Sequence, residues 1–140
     1  MLCRLDSSAL AQMKDALRNA GLPADDLSND LLAFRLDDPN GPAGWAALEI
    51  FGDQALLRSV VVLPQFQRTG RGSDLVRQVI TIAIVTGIRR LWLLTETAGP
   101  FFERLGFQTV DRMAAPDAIQ ATSEFRKCCP ASAACMTLAL

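Results

Sequence analysis

Gln67-Arg68-Thr69-Gly70-Arg71-Gly72-Ser73 is the stretch on which the reading of this chain turns. It follows Gln54 to Leu63, a run of apolar and β-branched residues that suits a strand and stops at Pro64. It precedes a segment from Gly72 to about Thr86 in which Leu75, Val79, Ile82 and Thr86 share a helical face. The β-branched content of that segment argues against a helix. Its length, roughly 14 residues, and an acid at Asp74 in the first turn argue for one. A strand that turns through glycines into a helix presents unpaired N–H groups at the positive end of the helix dipole, which is an anion site. Gly70 and Gly72 permit close approach of the backbone, while Arg68, Arg71 and the Ser73 hydroxyl add charge and donors. The competing reading is a glycine turn with solvated arginines. The stretch lacks both the G-K-[ST] of a Walker loop and the third glycine of a dinucleotide fingerprint.

Upstream, Leu10, Met13, Leu17 and Ala20 recur at helical spacing within Ser7 to Ala20, with Ser7 or Ser8 as cap and Gly21 as stop. Pro23 to Phe34 suggests a short second helix passing into a strand near Ala33 to Leu36, ended by the turn residues Asp37 to Pro42. Gly44 to Phe51 and Gln54 to Leu63, separated by Gly52-Asp53, read as a β-hairpin. Downstream, Leu91 to Thr95 reads as a strand, Gly99 to Leu105 as a short helix, and Gly106-Phe107 as the start of another strand. Pro116 to Thr122 suggests a helical turn and Ala133 to Leu140 a final strand. The expectation is one α/β domain over residues 1–140, with strands and helices packed in layers.

Half of the 140 residues are hydrophobic and the formal net charge is only −1, so neither a disordered chain nor a basic field for nucleic acid is expected. The N-terminus lacks the basic-then-apolar order of a secretory signal, and Arg77, Gln78 and Thr81 interrupt the apolar stretch from Leu75 to Val85. A cytoplasmic protein without a membrane span is expected. Cys3, Cys128, Cys129 and Cys135 come without histidine and without a repeated C-x-x-C, so no metal site is expected and reduced thiols are the default. The chain has neither His nor Tyr, which leaves proton chemistry to carboxylates, thiols or water.

Gln67 to Gly72 resembles the Q/R-x-x-G-x-G/A signature of GNAT acetyltransferases, and Ser59-Val60-Val61-Val62-Leu63-Pro64 before it resembles that family's fourth strand. Phe102-Glu103-Arg104-Leu105-Gly106-Phe107 is similar to the family's Y-E-K-L-G-F. The resemblance spans about residues 44 to 110 and implies a mixed, mostly antiparallel central sheet flanked by helices, with acetyl-CoA as co-substrate. It implies that backbone groups of Val60, Val61 and Val62 pair with the pantetheine arm. It further implies that Gln67, Arg68, Thr69, Gly70, Arg71, Gly72 and Ser73 hold the pyrophosphate, and that Phe102 lies near the cofactor thiol. Leu94-Thr95-Glu96-Thr97-Ala98 through Arg104 resembles a stretch of glutamate N-acetyltransferases. Cys129 to Met136, like Leu56-Leu57-Arg58-Ser59, resembles arsenic-resistance N-acetyltransferases. The implied acceptor is a small amino-acid-like amine, with an arsenical amino acid among the candidates. Relatives of this kind are often homodimers.

Phe102 stands where the family places its tyrosine acid and cannot donate a proton, so water or the amine itself must supply the leaving thiolate. A symmetrical Gly52-Asp53 turn sets Glu49 opposite Leu56 and diagonal to Arg58 on one face, about 7–8 Å away from backbone to backbone. Glu49 is then a candidate base and Arg58 a candidate clamp for a substrate carboxylate. The same geometry equally suits a mutual ion pair with no role in catalysis. Ser59, Thr95 and Thr97 are further acceptor-site candidates, Thr97 doubling as a candidate helix cap. Asp111, Arg112, Glu124 and Arg126 read as solvated charges. Two other functions stay open: an acetyl-CoA-binding regulatory module with little turnover, and an arsenic-binding protein using Cys128, Cys129 and Cys135.

Overall fold

The structure, a computed structural model, describes residues 1–27, 31–128 and 131–140. Its strands are β1 (Leu2–Arg4), β2 (Leu32–Asp38), β3 (Gly41–Phe51), β4 (Gln54–Val62), β5 (Arg90–Thr95), β6 (Gln108–Val110) and β7 (Ala134–Ala139). Its α-helices are α1 (Leu10–Asn19), α2 (Arg71–Thr86), α3 (Gly99–Arg104) and α4 (Asp117–Gln120). The strands share one sheet in the order β1-β2-β3-β4-β5-β7-β6. β4 and β5 run parallel from Gln54/Arg90 to Leu56/Trp92, while β1–β2, β2–β3, β5–β7 and β6–β7 are antiparallel. The fold is therefore α/β with a mixed, mostly antiparallel sheet, as expected from the sequence.

The chain packs as two compact units, Met1–Glu49 with Leu57–Ile82, and Ile50–Leu56 with Ala83–Leu140. In the first, Leu10, Met13 and Leu17 of α1 bury against Trp45, Ala47 and Val61. In the second, Leu56, Trp92 and Leu94 bury with Ile119, Phe125 and Cys135. α2 forms despite its branched residues because Leu75, Val76, Val79 and Ala83 are fully buried, and that packing outweighs weak propensity. Its buried stripe thus uses Ala83 where Ile82 and Thr86 were expected; Thr86 is exposed.

Other expectations need correction. Asp6 caps the N-terminal helical segment, accepting from Ser8 N–H at 3.0 Å, in the place expected of Ser7 or Ser8. The expected helix within Pro23 to Phe34 is absent from its described residues: 22–27 form turns and loop, and β2 already begins at Leu32. Ala24 and Leu27, spaced like helix neighbours, are instead separate anchors in the core of the first unit. Ser28 to Asp30 lie outside the described residues. The short strand β1, not foreseen, pairs with β2 from Leu2/Leu36 to Arg4/Phe34. Glu124 is buried, contrary to its reading as a solvated charge.

Two backbone features shape the region around β4. Gly44 lies so close to it that a Cβ there would sit 2.6 Å from the Val61 carbonyl oxygen. A two-residue turn at Gly52-Asp53 would set Ala43 opposite Val62, yet it is Leu63 N–H that donates to the Ala43 carbonyl at 2.9 Å. One extra residue therefore sits in β4, and Ser59, with a left-handed φ of 59°, marks the bulge.

Candidate functional site

The glycine loop lies between β4 and α2, wholly within the first unit. After Val62 the chain takes a single 3₁₀ turn at Pro64–Phe66. Gln67 ties the loop back to the strand, its Nε2 donating to the Val62 carbonyl at 3.1 Å. The Thr69 hydroxyl donates to the Phe66 carbonyl. Arg68 and Gly70 both adopt left-handed backbone, with φ 63° and 84°. This curls the loop so that the chain enters α2 with Gly70 as the last residue outside, its carbonyl accepting from Asp74 N–H at 3.1 Å. The N–H groups of Arg71, Gly72 and Ser73 then have no intrahelical acceptors and point along the helix axis. Arg68 is exposed, and Arg71 is half-buried. The arrangement suits an anion such as a pyrophosphate.

Arg71 is not a loose surface charge. Its Nη2 and Nε donate to Oδ2 of Asp38 at 2.5 and 3.1 Å. The Asn40 backbone N–H, 3.0 Å from the same carboxylate, and secondarily Arg71, hold Asp38 below the usual carboxylate range.

Glu49 and Arg58 meet, as the hairpin geometry allows: Arg58 Nη1 donates to Glu49 Oε1 at 3.0 Å. The structure adds a third member, Asp26, whose two oxygens accept from Nη1 and Nη2 of Arg58 at 2.5 and 2.6 Å. The Nε of Arg58 donates to the Ser59 hydroxyl at 3.1 Å. The Arg58 side chain is 2% exposed, against 16% for Asp26 and 18% for Glu49. The planar fork expected to receive a substrate carboxylate is filled by Asp26, because a turn places that residue above it. The sequence carried no sign of this, since Asp26 sits in a segment whose pattern reads as helix.

The remaining candidates lie in the second unit. Thr95 closes β5, and its hydroxyl accepts from Ala98 N–H at 3.0 Å, the local turn duty assigned in sequence to Thr97; Thr97 is exposed. Phe102 is buried on α3, edge-on to Phe101 and Phe107 with ring centroids 5.0 and 5.5 Å apart. Cys135 is buried, and burial raises its thiol pKa, which disfavours the thiolate. The Cys128 side chain and Cys129 lie outside the described residues. Among the described residues no group of His, Cys, Asp and Glu is placed to hold a metal, and no helix is long and apolar enough to cross a membrane.

A family model described as an acetyltransferase (GNAT) domain matches residues 29–109. The uncharacterized N-acetyltransferase CgeE of Bacillus subtilis is 37% identical over 62 residues, covering 42% of this chain and 24% of that protein. The uncharacterized N-acetyltransferase CT2212 of Chlorobaculum tepidum is 25% identical over 96% of this chain and 88% of its own length. Among solved structures, N-acetylglutamate synthase of Neisseria gonorrhoeae, complexed with coenzyme A and N-acetyl-glutamate, superposes with a TM-score of 0.82 at 21% identity. That likeness covers all of this chain and 35% of the synthase, and it is a likeness of fold. The chain thus spans about a quarter of CgeE and a third of the synthase.

Proposed function

The chain belongs to the acetyltransferase (GNAT) domain family, and from that premise we propose that it transfers the acetyl group of acetyl-CoA to the amine of a small amino-acid-like substrate. The observation that carries this reading is the loop from Gln67 to Ser73. Its left-handed Arg68 and Gly70 deliver three unpaired N–H groups to the start of α2. A pyrophosphate fits there, with Arg68 and Arg71 adding charge. Val60, Val61 and Val62, leading into the loop, offer backbone groups to the pantetheine arm.

In the transfer the amine nitrogen attacks the thioester carbonyl carbon, the C–S bond breaks, and the amine proton must leave as the thiolate gains one. Glu49, directly or through a water, takes the proton from the amine. Phe102 offers no proton, so water returns one to the sulfur. Arg58, braced by the Ser59 hydroxyl at its Nε, serves this site by holding Glu49, since Asp26 fills the guanidinium fork. The amino-acid character of the acceptor is supported by the likeness of Leu94 to Arg104 to glutamate N-acetyltransferases, and the Cys129 to Met136 likeness adds an arsenical amino acid to the candidates.

A thiol-release assay with acetyl-CoA and a panel of acceptors tests the proposal. The panel holds glutamate, aspartate, phosphinothricin, an arsenical amino acid and simple amines without a carboxylate. Turnover on at least one amino acid is expected. Coenzyme A binding without turnover on any amine would favour the regulatory-module reading.

A further inference from the structure

We infer that Asp26 is a positioning residue for acetyl transfer, holding Arg58 so that Arg58 can hold Glu49; the inference rests on Glu49 acting as the base. Glu49 meets Arg58 through one oxygen at 3.0 Å. A single contact of that kind leaves a guanidinium free to rotate about its own axis and carry the carboxylate with it. Asp26 removes that freedom, because two parallel bonds of 2.5 and 2.6 Å fix the guanidinium plane. The Nε bond to Ser59 Oγ at 3.1 Å fixes its third edge, on the residue whose left-handed backbone marks the β4 bulge.

Asp26 is itself firmly placed. It lies between Ala24 and Leu27, both buried in the core of the first unit, and Leu27 N–H donates to the Ala24 carbonyl at 3.2 Å. The side chain that orients Arg58 is thus set by packing on either side of it. Arg58 is 2% exposed and Glu49 18%, so of this pair it is the carboxylate that an incoming amine can reach. Asp26 touches no reacting atom in this scheme. Its effect is on where Glu49 stands, and misplacing a base by about an ångström costs on the order of a hundredfold in rate.

The experiment is a double-mutant cycle on the full chain, reading kcat, acceptor KM and coenzyme A affinity for Asp26→Asn, Glu49→Gln and the double variant. Asp26→Asn is expected to lower kcat about tenfold or more, with acceptor KM within about twofold and coenzyme A affinity unchanged. The double variant should be no slower than Glu49→Gln alone, because Asp26 acts only through Glu49. Should Asp26→Asn fail to fold, Asp26→Glu decides: its longer arm keeps the charge but moves the fork, and kcat must fall about threefold or more with coenzyme A affinity intact. Wild-type kcat in the folded variant, or a loss that adds in full to that of Glu49→Gln, overturns the inference. A wild-type kcat in Glu49→Gln itself would remove the base assignment and the positioning role with it, a result distinct from failure at Asp26 alone.

Discussion

Arg71, the first residue of α2, is tied to Asp38, the last of β2, through two bonds to a single carboxylate oxygen. The pair fixes the orientation of Arg71 at the start of α2. It also makes a pH prediction. Asp38 titrates below its ordinary value of 3.8 in the folded chain, so its contribution to stability is full above that value and is lost as pH falls through the lower, folded value. Urea unfolding of wild type and Asp38→Asn should show the wild type more stable at about pH 6, with the gap closing towards about pH 3. A gap that stays constant across that range would assign the difference to the Asn side chain itself.

Gly70→Ala and Gly70→Asp separate strain from charge at the loop. A Cβ there meets nothing within 4 Å, so the cost of Ala is conformational, about 1–2 kcal/mol for a left-handed L-residue. Asp adds a negative charge beside the proposed pyrophosphate. Calorimetry should find coenzyme A binding weakened more than about tenfold by Asp and much less by Ala. Equal affinities for the two variants would place the pyrophosphate elsewhere.

Gly44→Ala puts a methyl group 2.6 Å from the Val61 carbonyl oxygen, a backbone atom that cannot swing aside. The β3–β4 hairpin must shift at the point where Val61 and Val62 are proposed to meet the cofactor. Chemical denaturation should register a loss of about 2–3 kcal/mol, with coenzyme A affinity falling as well. Unaltered stability would mean that the strands accommodate the methyl group by moving apart.

Phe102→Tyr restores the hydroxyl of the family's usual acid. Phe102 is buried against two aromatic rings, and a buried hydroxyl without a partner costs about 1–3 kcal/mol. If water already protonates the thiolate, single-turnover rates should change by less than about threefold while the melting temperature drops. Acceleration well beyond that would show that proton supply to the sulfur limits the native reaction.

The loop and its helix were legible in the sequence because their signals are local: two glycines, a proline and an apolar period act over a few residues, and the backbone must answer to them in place. The Gly52-Asp53 turn likewise brought Glu49 to Arg58, since register follows from a turn and a pleat. The segment from Pro23 to Phe34 misled: Ala24 and Leu27 stand at helical spacing, yet both bury in the core of the first unit from a loop. Even the stripe on α2 came out with Ala83 in place of Ile82, because which flank of a helix is covered depends on what packs there.

The sequence alone therefore determined the fold class, the family and the glycine loop that leads into α2, all of which rest on interactions between near neighbours in the chain. Only the tertiary structure decided what the charged side chains do. Asp26 reaches Arg58 across 32 residues and Asp38 reaches Arg71 across 33, and Glu124 lies buried where a solvated charge was expected. An ion pair between distant residues leaves no periodic trace, since it forms only after packing has removed water from around both partners and made each the other's best available solvent.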